Sequence, residues 1–127
     1  MCSRFRDETL RVRRPRQDGG DVSTRPEFSV TGRTNDDGSC VVTVVGELDV
    51  DTVGAFRDFL LELNGEVKLD CRRLSFIDSA GLGTLVMVSR DLDGRGGHLR
   101  LTNVSDACWK ILQVTGLTQV LGASRVA

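Results

Sequence analysis

What most constrains the fold is a repeated change of hydrophobic period after Pro26. "EFSVTGRT" alternates apolar and polar residues, "NDDG" is a turn signal, and "SCVVTVVGEL" is a β-branched run. Period-two alternation buries one face of a strand, and a turn tetrapeptide between two such runs makes an antiparallel hairpin. Strands are therefore expected near 27–34 and 39–47. The period then lengthens. Val53, Phe56, Phe59, Leu60 and Leu63 recur at helical spacing, with Asp51 or Thr52 as cap and Asn64-Gly65 as stop. "EVKLDC" reads as a short strand near 66–71 and "RRLSFIDS" as a connection. Leu82, Leu85, Val86, Ser89 and Leu92 mark one face of a second helix near 80–92. "DGRGG" is a turn and "HLRLTN" a strand with Leu99 and Leu101 inside. A third helix follows, capped by Ser105, with Ala107, Cys108, Ile111 and Leu112 inside and Gly116 as its stop. "LTQVLG" is a last short strand or a tail.

Strands separated by helices need crossover connections, which are right-handed and give parallel pairing. The order β-β-α-β-α-β-α thus predicts an α/β fold. Its sheet is mixed, with four to five strands, an N-terminal hairpin and three or more helices packed mainly on one face. The 127 residues are enough for one core. Residues 1–26 carry seven arginines against four acids, a charge of +3, which leaves −4 for the rest. Pro15, Gly19, Gly20 and Pro26 interrupt this leader, so 1–26 is expected to be a basic, disordered arm, with 27–122 as the domain and 123–127 as a tail. No aromatic residue is interleaved among the arginines of "RVRRPRQDGGDVSTRP", and direct nucleic-acid binding is not expected. No apolar run is long enough to span a bilayer and the first residues are charged, so a cytoplasmic protein without a membrane association is expected. Cys2, Cys40, Cys71 and Cys108 are widely spaced, with no histidine cluster beside them. No metal site is expected, and Cys40 and Cys71, in strand-like runs, are expected to be buried free thiols.

The chemistry concentrates in "FIDSAGLGTLVMV", residues 76–88, where a strand-like pair runs into Asp78 and Ser79 and then into a helix. Phe76 and Ile77 are expected to pack under this loop. Ser79 lacks the flanking glycines of a nucleophile elbow, and His98 is the chain's sole histidine, so no positioned base is expected and no catalytic residue is assigned. "GLGTLV" has Val86 where a dinucleotide-binding motif needs its third glycine, and no phosphate-binding lysine follows. A small nucleotide-binding domain is thus a weak alternative, and no cofactor is expected. Two readings of Ser79 remain. It caps the second helix, or it accepts a phosphoryl group, which a helix N-terminus tolerates because its free N–H groups favour anions. Asp49 is likewise either a cap of the first helix or part of a surface. Trp109 is expected to be partly buried rather than a partner anchor.

"GELD" at 46–49, "DSAGLG" at 78–83 and "VTGL" at 114–117 together resemble a STAS domain, and more closely the anti-sigma factor antagonists of bacteria. The resemblance spans about residues 27–122. It implies a non-enzymatic regulator that binds an anti-sigma factor serine kinase and so releases a sigma factor. The family's phosphorylated serine follows the loop aspartate, which is Ser79 here. Phosphorylation would release the kinase, and a phosphatase acting on phosphorylated Ser79 would reset the switch. Asp49, Asp78, Ser79, Ala80, Gly81, Leu82 and Gly83 would line the docking surface. Ala80 stands where the family usually has Ser or Thr, which leaves Ser79 as the loop's one hydroxyl acceptor. A STAS module of another signalling assembly, without a phospho-switch, is the alternative.

Overall fold

A computed structural model describes residues 7–12 and 27–125. The described chain is a five-stranded mixed sheet with three helices, in the order β1 (Asp7–Val12), β2 (Phe28–Thr34), β3 (Cys40–Leu48), α1 (Val53–Leu61), β4 (Glu66–Ile77), α2 (Ser79–Gly94), β5 (His98–Thr102) and α3 (Asp106–Val114). The strands lie side by side in chain order. β1–β2 and β2–β3 pair antiparallel, whereas β3–β4 and β4–β5, each bridged by a helix, pair parallel.

Register explains the burial. Val30 faces Val44, Val42 faces Leu69, and Leu69 faces Leu101, so these side chains stand on one face of the sheet. All are buried, together with Phe56, Phe59 and Leu60 of α1 and Leu85, Val88 and Leu92 of α2. Phe28 meets Phe56 edge-to-face, with ring centroids 6.5 Å apart, and ties the hairpin to α1. α3 covers β4 through Cys108 and Leu112, and Ala107, expected inside, is exposed.

Several expectations need correction. β4 does not stop at residue 71 but runs to Ile77. Thr43 faces Asp70 while Val45 faces Arg73, and Gly46 faces Leu74 while Glu47 faces Phe76, so β4 carries two extra residues relative to β3. Each bulge shifts the alternation by one. Buried residues then fall at Val67, Leu69, Cys71, Leu74 and Ile77, a pattern that reads as a loop to any period-two test. Phe76, expected under the loop with Ile77, is turned outward and is 45% exposed. Within the expected arm, residues 7–12 form edge strand β1, because Leu10 and Val12 pack half-buried on the core and Thr9 hydrogen-bonds Thr31 at 3.1 Å. The remainder of 1–26 lies outside the described residues.

The segment after α3 is neither strand nor loose tail. Leu121 inserts fully into the core, Leu101 N–H donates to the Leu121 carbonyl at 3.2 Å, and Ser124 N–H donates to the Leu101 carbonyl at 2.9 Å. Cys71 and Cys108 are free and buried, but Cys40 is disulfide-bonded, contrary to the free thiol expected of it. Chain spacing carries no record of which sulfurs folding brings into bonding range.

Candidate functional site

The parallel strands β3 and β4 end side by side, and each hands its chain to a helix through a tight turn. In the first turn, Asp49 N–H donates to Thr52 Oγ1 (3.0 Å), and that hydroxyl donates to the Glu47 carbonyl (2.9 Å). The Asp49 carboxylate accepts from Asp51 N–H at 3.0 Å and the residue is 8% exposed. Asp49 thus organises the turn into α1. Thr52 occupies the cap position, yet its hydroxyl serves the preceding strand rather than the helix.

In the second turn Asp78, not Ser79, is the cap. Its Oδ1 accepts from Gly81 N–H at 2.9 Å, and its Oδ2 accepts from Val50 N–H in the first turn at 3.3 Å. Asp78 N–H donates to the Leu48 carbonyl at 3.1 Å. One aspartate therefore starts α2 and locks the two turns together. The contact is close: a Cβ at Gly81 would lie 2.6 Å from the Leu48 carbonyl oxygen, so no residue larger than glycine fits. Gly83 has nothing within 4 Å of such a Cβ and is exposed.

Because Asp78 takes the capping role, Ser79 sits as the first residue of α2 with its side chain exposed, and no described residue hydrogen-bonds its hydroxyl. The N–H groups of Ser79 and Ala80, at the first turn of the helix, are among those that no helical carbonyl satisfies. Ala80 and Leu82 are half-buried, and the Ala80 carbonyl accepts from the Thr84 hydroxyl at 2.9 Å. Around this turn stand two large apolar side chains that sequence reasoning did not assign to the site, Val50 at 72% exposure and Phe76 at 45%. Val50 continues the period-two spacing of Val42, Val44 and Leu48, so by pattern it reads as an inward residue and nothing local signals its exposure. Phe76 was hidden by the bulge. Val50, whose N–H bonds Asp78, and Phe76, two residues before Asp78 on β4, are thus exposed apolar neighbours of the turn that presents Ser79.

Away from this turn, His98 begins β5 and bonds Asp93 through Nδ1 at 2.9 Å. Trp109 is half-buried against the core, with the Arg125 guanidinium 5.8 Å from its ring centroid. Among the described residues no cluster of three or more metal-ligating side chains occurs. No helix among them is long and apolar enough to cross a membrane.

The STAS family model described as "Mlab, STAS domain" matches residues 31–122. This chain belongs to the STAS domain family. It is 29% identical over 86 residues to the anti-sigma-B factor antagonist of Bacillus subtilis (strain 168), covering 65% of this chain and 79% of that protein. The fold is similar to that of the anti-sigma factor antagonist SpoIIAA in its unphosphorylated form, with a TM-score of 0.65 and 25% identity, over 75% of this chain and 87% of that one. It is also similar to SpoIIAA of Bacillus in the phosphorylated form, with a TM-score of 0.59 and 25% identity, over 75% and 90% of the two chains. The STAS fold seen in both SpoIIAA states is thus the one this chain adopts.

Proposed function

We propose that this STAS protein is an anti-sigma factor antagonist, regulatory rather than catalytic. In this reading it binds an anti-sigma factor serine kinase in the cytoplasm and thereby frees a sigma factor. Phosphorylation of Ser79 turns binding off, and a phosphatase restores it. The kinase brings its own nucleotide and metal, so the chain itself needs no cofactor.

The observation that carries this reading is the Ser79 hydroxyl, exposed at the first position of α2 and unbonded by any described residue because Asp78 already caps the helix. A serine needed for structure would spend its hydroxyl on the helix. This one is left for a partner. Docking is assigned to the outward parts of the two turns: Ser79, Ala80, Leu82 and Gly83, with Val50 and Phe76 as apolar anchors at its edge. Asp78, Gly81 and Asp49 shape the same surface from beneath. A phosphoryl group adds about −1.5 to −2 charges at the centre of this patch, where it opposes desolvation by an apolar partner surface.

The test is binding to the cognate anti-sigma factor by calorimetry. Ser79→Ala is expected to bind as tightly as the unmodified protein and to resist phosphorylation by that kinase. Ser79→Asp is expected to bind at least tenfold more weakly, a loss of about 1.4 kcal/mol or more. Equal binding by all three proteins would sink the switch. A second reading, a STAS module without a phospho-switch in another assembly, is favoured by the description "Mlab" of the matching family model. Under it, Ser79→Asp is silent, and truncating Val50 and Phe76 to alanine abolishes partner binding.

A further inference from the structure

A groove of about 340 Å³ lies on the far side of α2 from the Ser79 turn, between the C-terminal half of that helix, β5 and the turn that follows α3. Ser89, Asp93, His98, Leu99, Arg100 and Gln119 border it. Ten residues separate Ser89 from Ser79 along α2, a rise of about 15 Å, so the groove is separate from the proposed switch surface.

We propose that this groove binds a small oxyanion, the carboxylate or phosphate group of a small-molecule ligand, through Arg100 and the buried Ser89 hydroxyl. Three independent features point to it. The first is Ser89, only 3% exposed and yet with no hydrogen-bond partner among the described residues. The other buried polar side chains, Asp49 and Thr52, satisfy one another and the backbone around them. A buried hydroxyl without a partner is rare and is a natural receptor for a group that arrives from solvent. The second is Arg100. Its stem lies against Gly122, where an added Cβ would come within 3.3 Å of Arg100 Cγ, and no ion pair or hydrogen bond engages its guanidinium among the described residues. A planar guanidinium fork matches a carboxylate or phosphate in bidentate geometry.

The third is the edge of β5. Leu101 bonds outward, to Leu121 and Ser124, while His98 N–H points inward to the Gly65 carbonyl. Strand alternation therefore directs the Leu99 N–H and carbonyl to the same outer edge as Leu101, and no described group bonds them there. Asp93 is the one carboxylate bordering the groove, and it is engaged by His98 Nδ1 at 2.9 Å, which leaves His98 Nε2 uncommitted. Arg100, Ser89, Leu99 and His98, which carry a guanidinium, a hydroxyl, a backbone N–H and a ring nitrogen, all border this space, whose size suits a small polar molecule.

The test is an amide-resolved NMR titration of the full chain with sodium phosphate and, separately, sodium citrate, against sodium chloride at matched ionic strength. The expected result is saturable shifts at Leu99, Arg100 and Gln119 with one or both oxyanions and not with chloride. Response to phosphate alone identifies a phosphate ligand, and response to citrate alone a carboxylate. Arg100→Gln, at an exposed position, is expected to weaken binding about tenfold, and Ser89→Ala severalfold. Shifts that never saturate, that chloride reproduces, or that persist unchanged in Arg100→Gln overturn the proposal. If Ser89→Ala alters only thermal stability and leaves the oxyanion affinity unchanged, the hydroxyl has no part in the site.

Discussion

Gly81 and Gly83 stand two residues apart on one helix, and the structure predicts opposite signs for the same substitution. At Gly81 an added methyl group would approach the Leu48 carbonyl oxygen to 2.6 Å, Ile77 Cγ2 to 2.9 Å and Leu48 Cγ to 3.1 Å. Two of the three are closer than non-bonded carbon contacts allow, and the first is backbone, which cannot rotate away. The start of α2 must therefore retreat from the end of β3 by several tenths of an ångström or more. That movement falls on the bonds that join the two turns, Asp78 N–H to Leu48 (3.1 Å) and Val50 N–H to Asp78 Oδ2 (3.3 Å). Overpacking of a fitted site costs about 1–3 kcal/mol, and weakening a hydrogen bond about 0.5–1.5 kcal/mol. Alanine's helix preference over glycine offsets at most about 1 kcal/mol. Gly81→Ala is thus expected to lose a net of about 1–3 kcal/mol. At Gly83 nothing lies within 4 Å, so only the preference remains, and Gly83→Ala is expected to gain about 0.5–1 kcal/mol. Urea denaturation monitored by circular dichroism measures both, and in a domain of this size each kcal/mol moves Tm by roughly 3–6 °C. A Gly81→Ala protein as stable as its parent would refute the close approach of α2 to β3. A destabilised Gly83→Ala would refute the open space above the helix.

Three further outcomes follow from the same geometry. Asp78→Ala removes the cap of α2 and the bridge to Val50 together, and is expected to cost about 1–2 kcal/mol by the same denaturation assay, whereas Asp78→Asn keeps an acceptor for Gly81 and costs less. Ser79→Ala is expected to change stability by less than about 0.5 kcal/mol, because its hydroxyl bonds no described residue; a larger loss would mean that Ser79 is structural. Burial pushes the Cys71 thiol far above its ordinary value of 9.0, and burial likewise raises Cys108 against a lowering hydrogen bond from Ser105. Above about pH 9 the unfolded chain releases protons that the folded one retains, so stability is full below that pH and falls above it, by up to about 1.4 kcal/mol per pH unit per thiol. The chain has no tyrosine to blur this window, and a Cys71→Ala, Cys108→Ala double variant is expected to flatten the slope.

The hairpin and the parallel crossovers were legible because each rests on a local signal that tertiary packing reinforces: "NDDG" between two β-branched runs, and the helical recurrence of Phe56, Phe59, Leu60 and Leu63. The second half of β4 was not, because the two bulges stretch its buried spacing from two residues to three and mimic a connection. β1 was hidden for another reason. Leu10 and Val12 are its whole apolar contribution, and only a register against β2, which no single strand displays, gives them a face to pack on. At the site, the sequence showed that Asp78 and Ser79 are special but not which of them caps. Both residue types cap well, and the choice is tied to a contact that no local pattern displays: Val50 N–H, 28 residues earlier in the chain, donates to the aspartate. Val50's exposure was not foreseen because its place two residues after Leu48 reads as inward-facing.

The capping choice bears directly on what a phosphate at Ser79 would do. Were Ser79 the cap, modification would destroy the bond that starts α2 and the signal would be local unfolding. With Asp78 in that role, the phosphoryl group attaches to a residue whose side chain the helix does not use. Two local terms then act on it. The positive end of α2 and the unpaired amides of its first turn favour the dianion by about 0.3–1 kcal/mol. Repulsion from the Asp78 carboxylate opposes it by about 1 kcal/mol per unit charge at contact distance in water, less once screened by salt. The terms are of similar size and opposite sign, so the fold is expected to be indifferent to the modification, in keeping with the likeness of this chain to SpoIIAA in both its states. The whole energetic effect is then left to the interface, where a partner that covers Val50 and Phe76 must strip water from a dianion. Amide exchange of the phosphorylated protein therefore has a definite expected result, namely α2 protection unchanged while partner binding is lost, and melting of the first turn of α2 on phosphorylation would overturn it.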